Sequence, residues 1–209
     1  METLKLAFFC WESLHSTFKV GGLAPAATEL AENLARMGHE VHFFPRGEGG
    51  DATINDVHYH YCLPYGDNIV EYCRTMSTML VKAFRACDTP AFDILHFHDW
   101  HVVEAMHLLR DRNTVFSYHS TEYGRHGGNF GGWWEFQEIS GKEWYGGYIA
   151  KTVTTVSNST KTEVMWLYNV PEWKVTVIPN GIDPDAYHLM VDPGEVKKHY
   201  GIHPLAPVV

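Results

Sequence analysis

The sequence predicts an α/β fold, a Rossmann-like doubly wound sheet of mainly parallel strands. Three observations carry that prediction. Short apolar runs rich in β-branched and aromatic residues alternate with segments whose apolar residues recur every three or four positions. Glycine and other turn formers punctuate the changes of period. The stretches between strand-like runs are long enough to hold a helix, which a parallel crossover needs.

Leu4 to Phe9 is an apolar run with β character, as expected of a strand buried on both faces. Phe18 to Gly22 is a glycine-containing loop. Leu23, Ala26, Ala27, Leu30, Ala31, Leu34 and Ala35 then follow the spacing of one buried helix face. Gly38 suits the left-handed residue at that helix's end, and His39 to Phe44 restarts a strand. Asp56 to Cys62 alternates like a strand, and Asn68 to Cys87 is helical. Phe92 to Phe97 is strand-like, Val102 to Leu109 helical and Thr114 to Tyr118 again a strand. Thr152 to Val156 and Lys174 to Ile178 are further strands. They flank a helix from about Ser159 to Tyr168, with Ser157 or Asn158 as its cap. That makes seven strand candidates.

One stretch breaks the rhythm. Residues 123–148 are crowded with glycine and aromatics, among them Gly127, Gly128, Trp133, Trp134 and Trp144, and read as an inserted loop. Two readings stand side by side. The insertion either covers a neighbouring surface with its tryptophans, or stacks flat aromatic faces on sugar rings. Further on, Pro179 to Pro184 is rich in turn formers. We expect a first domain over 1–183, then a linker and the truncated start of a second domain over 184–209, where Leu205 to Val209 begins a strand.

Composition narrows the function. Of the 209 residues 45% are hydrophobic and 20% charged, values of a globular chain. Sixteen Lys and Arg against 25 Asp and Glu give a net charge of −9, which argues against a nucleic-acid-binding face. The apolar run LAFFCW is far shorter than the ~20 residues of a membrane span and lacks a signal peptide's flanks, so a cytoplasmic protein is expected. Cys10, Cys62, Cys73 and Cys87 form no CxxC. Reduced core thiols are expected, not a disulfide framework or zinc site.

Ligands of open α/β sheets bind at the carboxyl ends of the strands, and three polar clusters fall there. In Lys19-Val20-Gly21-Gly22-Leu23, two glycines allow close approach of the backbone and the following helix N-terminus favours an anion. His96-Phe97-His98-Asp99-Trp100-His101 invites a metal, but strand alternation puts His96 and His98 on one face and Asp99 on the other. A polar loop touching substrate fits better, with His96 and His101 as structural histidines. In Ser117 to Arg125, His119 offers a hydrogen bond to a substrate hydroxyl and Arg125 a planar fork for phosphate.

Together these motifs resemble the N-terminal domain of a GT-B glycosyltransferase, close to the glycogen and starch synthases and the related large retaining family 4. KVGGLA (Lys19 to Ala24), GHEVHFFP (Gly38 to Pro45), HFHDWH (His96 to His101), the strand ending at His119, GGYIAKTVTTVSNST (Gly146 to Thr160) and VIPNGID (Val177 to Asp183) occur in the family's order. The resemblance implies two facing Rossmann-like domains. The N-terminal one receives the acceptor, and the missing C-terminal one holds the nucleotide sugar through a Lys and an E-x7-E pair. It implies retaining transfer of a hexose from a UDP-, ADP- or GDP-linked donor to a saccharide or other acceptor, with no metal and no cofactor. By motif, Lys19, Gly21 and Gly22 lie near the diphosphate and sugar. His119 hydrogen-bonds the donor sugar, and Asp99 lies near the reacting centre. Glu135 and Glu143 share the E-x7-E spacing but fall in the Gly/Trp stretch, and we read that as coincidence. The isolated chain is expected not to turn over. The alternatives are a saccharide-binding module and an NAD-dependent oxidoreductase. Against the latter stand the lack of GxGxxG and of an acidic residue after Phe44.

Overall fold

A computed structural model describes residues 2–182 and 191–208. Its centre is one eight-stranded sheet of β1 (Lys5–Phe9), β2 (Glu40–Phe44), β3 (Asp51–Ile54), β4 (Val57–His60), β5 (Ile94–His98), β6 (Thr114–Tyr118), β7 (Thr152–Thr155) and β8 (Val175–Val177). The spatial order is β3-β4-β2-β1-β5-β6-β7-β8, and every pair is parallel except β3 with β4. The expected seven strands are all present. The eighth, β3, is short and polar. It folds back through Asn55 and Asp56, both at positive φ (49° and 63°), a two-residue hairpin that asparagine and aspartate tolerate.

The helices are α1 (Leu23–Arg36), α2 (Ile69–Cys87), α3 (Val103–Leu108), α4 (Glu122–Arg125), α5 (Trp134–Ile149), α6 (Asn158–Tyr168) and α7 (Pro193–His199). Side chains cap α2 and α6 where the sequence places them. Asn68 accepts from the Glu71 N–H and Ser157 from the Thr160 N–H. Chirality sorts the layers. Right-handed crossovers put α1, on the leftward β1→β2 step, on one face, while α2, α3, α5 and α6 lie on the other. Alternation in the strands matches. Phe8, Phe43 and Val57 pack with Ala27 and Ala31 of α1. Phe9, Phe97 and Phe116 pack with Leu80, Met106 and Val164 of the opposite layer.

Two expectations are corrected. Residues 123–148 are not a loop: α4 and α5 occupy most of them, leaving only 126–133 between. The glycines misled because two of them serve packing. A Cβ on Gly146 meets Phe116 at 2.6 Å, and one on Gly147 meets the Tyr118 hydroxyl at 2.5 Å. The Gly-Gly pair is what lets α5 lie this close to β6. At the far end, Leu205 to Val208 forms no strand, since no neighbouring strand pairs with it. The boundary expected at residues 183 and 184 lies outside the described residues. Among the described residues no helix is long and apolar enough to cross a membrane.

Candidate active-site cleft

The chain leaves β1 at Phe9 and returns into α1 at Gly22, its N-cap, which has no capping side chain. Glu12, buried in that loop, supplies what the cap lacks. Its Oε1 accepts the N–H groups of Gly21 at 2.9 Å and Ala24 at 3.2 Å. A carboxylate at this end of a helix is favoured by the unpaired N–H groups and the helix dipole. The open anion slot expected from the sequence is therefore partly filled by the protein itself. Pro25 has no N–H, so Gly22 and Leu23 keep the N–H groups that an incoming anion can use. A Cβ on Gly22 would meet nothing within 4 Å, so open space lies over this position. Lys19, exposed, stands just before it.

β5 and β6 position the second part. Their register pairs His98 with Ser117, so His119 emerges just past the carboxyl end of β6. Asp99 leaves β5 at φ 59° and ψ 176°, a conformation costing ~1–3 kcal/mol for a residue other than glycine. Two hydrogen bonds hold it there. Its N–H donates to the Ser117 carbonyl at 3.0 Å, and its Oδ1 accepts the His119 N–H at 2.8 Å. Burial pushes the Asp99 carboxyl above its ordinary value, opposed by the His119 ring and that backbone N–H. Asp99 thus fixes the backbone that carries His119.

The rings form a row. His96 Nε2 lies 2.6 Å from the Ser117 hydroxyl, which lies 2.5 Å from the Thr154 hydroxyl. His98 Nδ1 meets His119 Nε2 at 3.0 Å. Burial lowers the His96 pKa to about 3 and takes His98 well below the usual range, so both rings are neutral. His98 Nε2 is buried with no partner among the described residues. A bare lone pair is less costly there than an orphaned N–H, so His98 donates from Nδ1 to His119 Nε2. His119 then carries its own proton on Nδ1, ready to donate. His98, His119, Ala26 of α1 and the segment Ile178 to Ile182 line one cavity of about 620 Å³. Ala26 is one helical turn, ~6 Å, past Gly22, so the helix that Gly22 caps forms one wall of that cavity.

One candidate stands elsewhere. The expected phosphate ligand Arg125 is committed inside the fold. Its guanidinium donates to Glu122 at 3.0 Å, Ser120 at 2.7 Å and Glu143 at 2.5 Å. Glu143, on α5 and 1% exposed, also accepts from Tyr168 and the Glu122 N–H. Arg125 is needed to balance that buried carboxylate and does not line the cavity. His101 stacks on Trp11 at 4.8 Å and on Trp100 at 4.1 Å, a packing role. Glu12 and His98 were not singled out by sequence reasoning. No spacing signal marks Glu12, and His98 was visible only as a face-mate of His96.

The sequence matches Glycosyltransferase Family 4 over residues 20–186. An uncharacterised glycosyltransferase of Methanocaldococcus jannaschii is 36% identical over 188 residues, covering 87% of this chain and 47% of that protein. Among solved structures, the sucrose-phosphate synthase of Thermosynechococcus elongatus superposes with a TM-score of 0.72 at 15% identity, over 96% of this chain and 53% of that one. The catalytic domain of starch synthase IV from Arabidopsis thaliana, bound to ADP and acarbose, gives 0.65 at 16% identity, over 92% and 54%. The chain spans about half the length of the curated relatives it matches.

Proposed function

The chain belongs to glycosyltransferase family 4, the N-terminal half of a GT-B fold, and from that premise we propose that it is the acceptor-side domain of a retaining enzyme. That enzyme moves a hexose from a nucleotide-diphosphate sugar to a saccharide or another hydroxyl acceptor. The reading rests on one observation: His119, just past the carboxyl end of β6, lines one cavity together with Ala26 of α1, the helix that Gly22 caps. In the reaction the bond from the anomeric carbon to the phosphate oxygen breaks, and a bond to the acceptor oxygen forms on the same face as that hydroxyl passes its proton to the departing phosphate oxygen. Positive charge grows on the sugar and negative charge on the departing diphosphate. The Lys19 ammonium and the N–H groups of Gly22 and Leu23 stabilise the latter. Glu12 narrows that contribution, because its carboxylate holds the inner N–H pair and repels a phosphate placed too deep. His119 orients the sugar through its Nδ1 proton and does not attack it. Asp99 serves as the positioning group of His119. The donor-side half of the cleft belongs to the second domain, so the 209-residue chain alone does not turn over.

The test is His119→Ala in the full-length enzyme. The expected loss is ~100-fold or more in kcat with little change in Tm, as for a contact strengthened in the transition state. Near-normal turnover removes His119 from the site.

A further inference from the structure

A second group of chemically active side chains lies on the opposite face of the sheet, towards its other edge. β2 and β4 pair with His42 level with His58, so His60, two residues on, points to the same face as His42. That face lies under α2, and Cys87, the last residue of α2, comes down over it. One ligating atom each from His42, His60 and Cys87 lies within 4.8 Å of the others, the only such trio of histidine, cysteine or carboxylate among the described residues.

The histidines have an unresolved hydrogen-bond conflict. Glu40 Oε1 lies 3.0 Å from His42 Nε2, and Asp51 Oδ1 lies 3.0 Å from His60 Nδ1. Strand geometry builds both contacts: Glu40 is two residues before His42, and Asp51 is level with His60 across the hairpin. An ionised carboxylate only accepts, so both of those nitrogens carry hydrogen. In neutral rings the remaining nitrogens, His42 Nδ1 and His60 Nε2, are then bare lone pairs, and they face each other at 2.9 Å. Two acceptors at that distance repel. A cation between them removes the conflict, and a carboxylate on the far nitrogen of each imidazole is the usual way a protein orients metal-binding histidines.

We propose that His42, His60 and Cys87 bind a divalent transition metal of the zinc class, with Glu40 and Asp51 orienting the two imidazoles. Two imidazoles and a thiolate form the donor set such an ion prefers. A tetrahedral ion with ~2.0–2.1 Å bonds needs the two nitrogens ~3.3 Å apart, a few tenths more than they stand, so a small rotation of the rings admits it. The thiol, now donating to the carbonyls of Ala83 and Phe84, loses its proton to solvent on binding. Lys5 lies alongside, its ammonium 3.3 Å from Glu40 and 3.0 Å from the Cys87 carbonyl, and offsets the extra carboxylate charge. A cavity of about 280 Å³ bordered by His42, His58 and His60 leaves the fourth position to water. The site ties β2, β4 and the end of α2 together, far from the sugar chemistry. The spacing of 42, 60 and 87 matches no zinc motif, which is why the cysteines alone pointed to reduced core thiols.

The test titrates the metal-stripped full-length protein with Co²⁺, followed by competition with Zn²⁺. One equivalent should give tetrahedral visible bands and a sulfur-to-cobalt charge-transfer band, both displaced by Zn²⁺. Cys87→Ser should remove the charge-transfer band. Asp51→Asn, an exposed change that leaves the core alone, should weaken affinity ~10-fold or more. Zn²⁺ should raise the Tm of the wild type and not of Cys87→Ser. Absence of Co²⁺ bands, an octahedral spectrum without sulfur charge transfer, or affinity unchanged in both variants overturns the site and leaves a proton as the bridge between the two rings.

Discussion

His96 and His98 are the residues on which the cleft's chemistry and its stability meet. Folding buries both rings without charge, His96 at a pKa of about 3 and His98 well below its ordinary range, against about 6.5 in the unfolded chain. The unfolded state therefore holds more protons between those values. The stability these residues contribute is complete above pH 6.5 and is lost as pH falls towards 3. Denaturant unfolding followed from pH 7 to pH 4 should show stability falling by ~1.4 kcal/mol per pH unit for each such histidine, and His96→Gln should lessen that slope by about one proton. A flat profile over this range contradicts the neutral row. At this scale the sequence was legible in where residues fall: Asp99 follows β5 and His119 follows β6, as the strand-like runs before them predict. It misassigned Arg125 because its partner Glu143 comes 18 residues later from a different helix, and only folding brings the two together.

α5 is the element that sequence reasoning read least well, and its glycines show why. Glycine followed by tryptophan suggests a loop when only local propensity is weighed. Gly146 and Gly147 instead mark the contact of a helix with β6, where a side chain has no room. Gly146→Ala should destabilise the fold by ~1–3 kcal/mol, because its Cβ would press on Phe116 and Val103 in a packed core. Chemical denaturation reads the loss directly, and an unchanged midpoint would mean that α5 does not lie on the sheet as described. Elsewhere the elements were legible because burial and period agree. β1, β5 and β6 are apolar runs buried against helices, and α1 and α2 carry one apolar face each. β3 was missed for the opposite reason: four residues at a sheet edge, none fully buried, leave no pattern to read.

At the scale of the whole molecule, the sheet order places β1, β5 and β6 side by side, and two polar turns end beside each other as a consequence. One brings Lys19 and Gly22 to the start of α1; the other brings Asp99 and His119 to the end of β5 and β6. The fold was legible because crossovers of this kind have one handedness. The interior of the cleft was less so, because Glu12 reaches its place only when its loop closes on α1. The central claim is that both turns meet one donor molecule. The most direct measurement is a crystal structure of the full-length enzyme with an unreactive nucleotide-sugar analogue. The account predicts the diphosphate within hydrogen-bonding distance of the Gly22 or Leu23 N–H and the sugar within reach of His119 Nδ1. A donor seated with neither contact would contradict it.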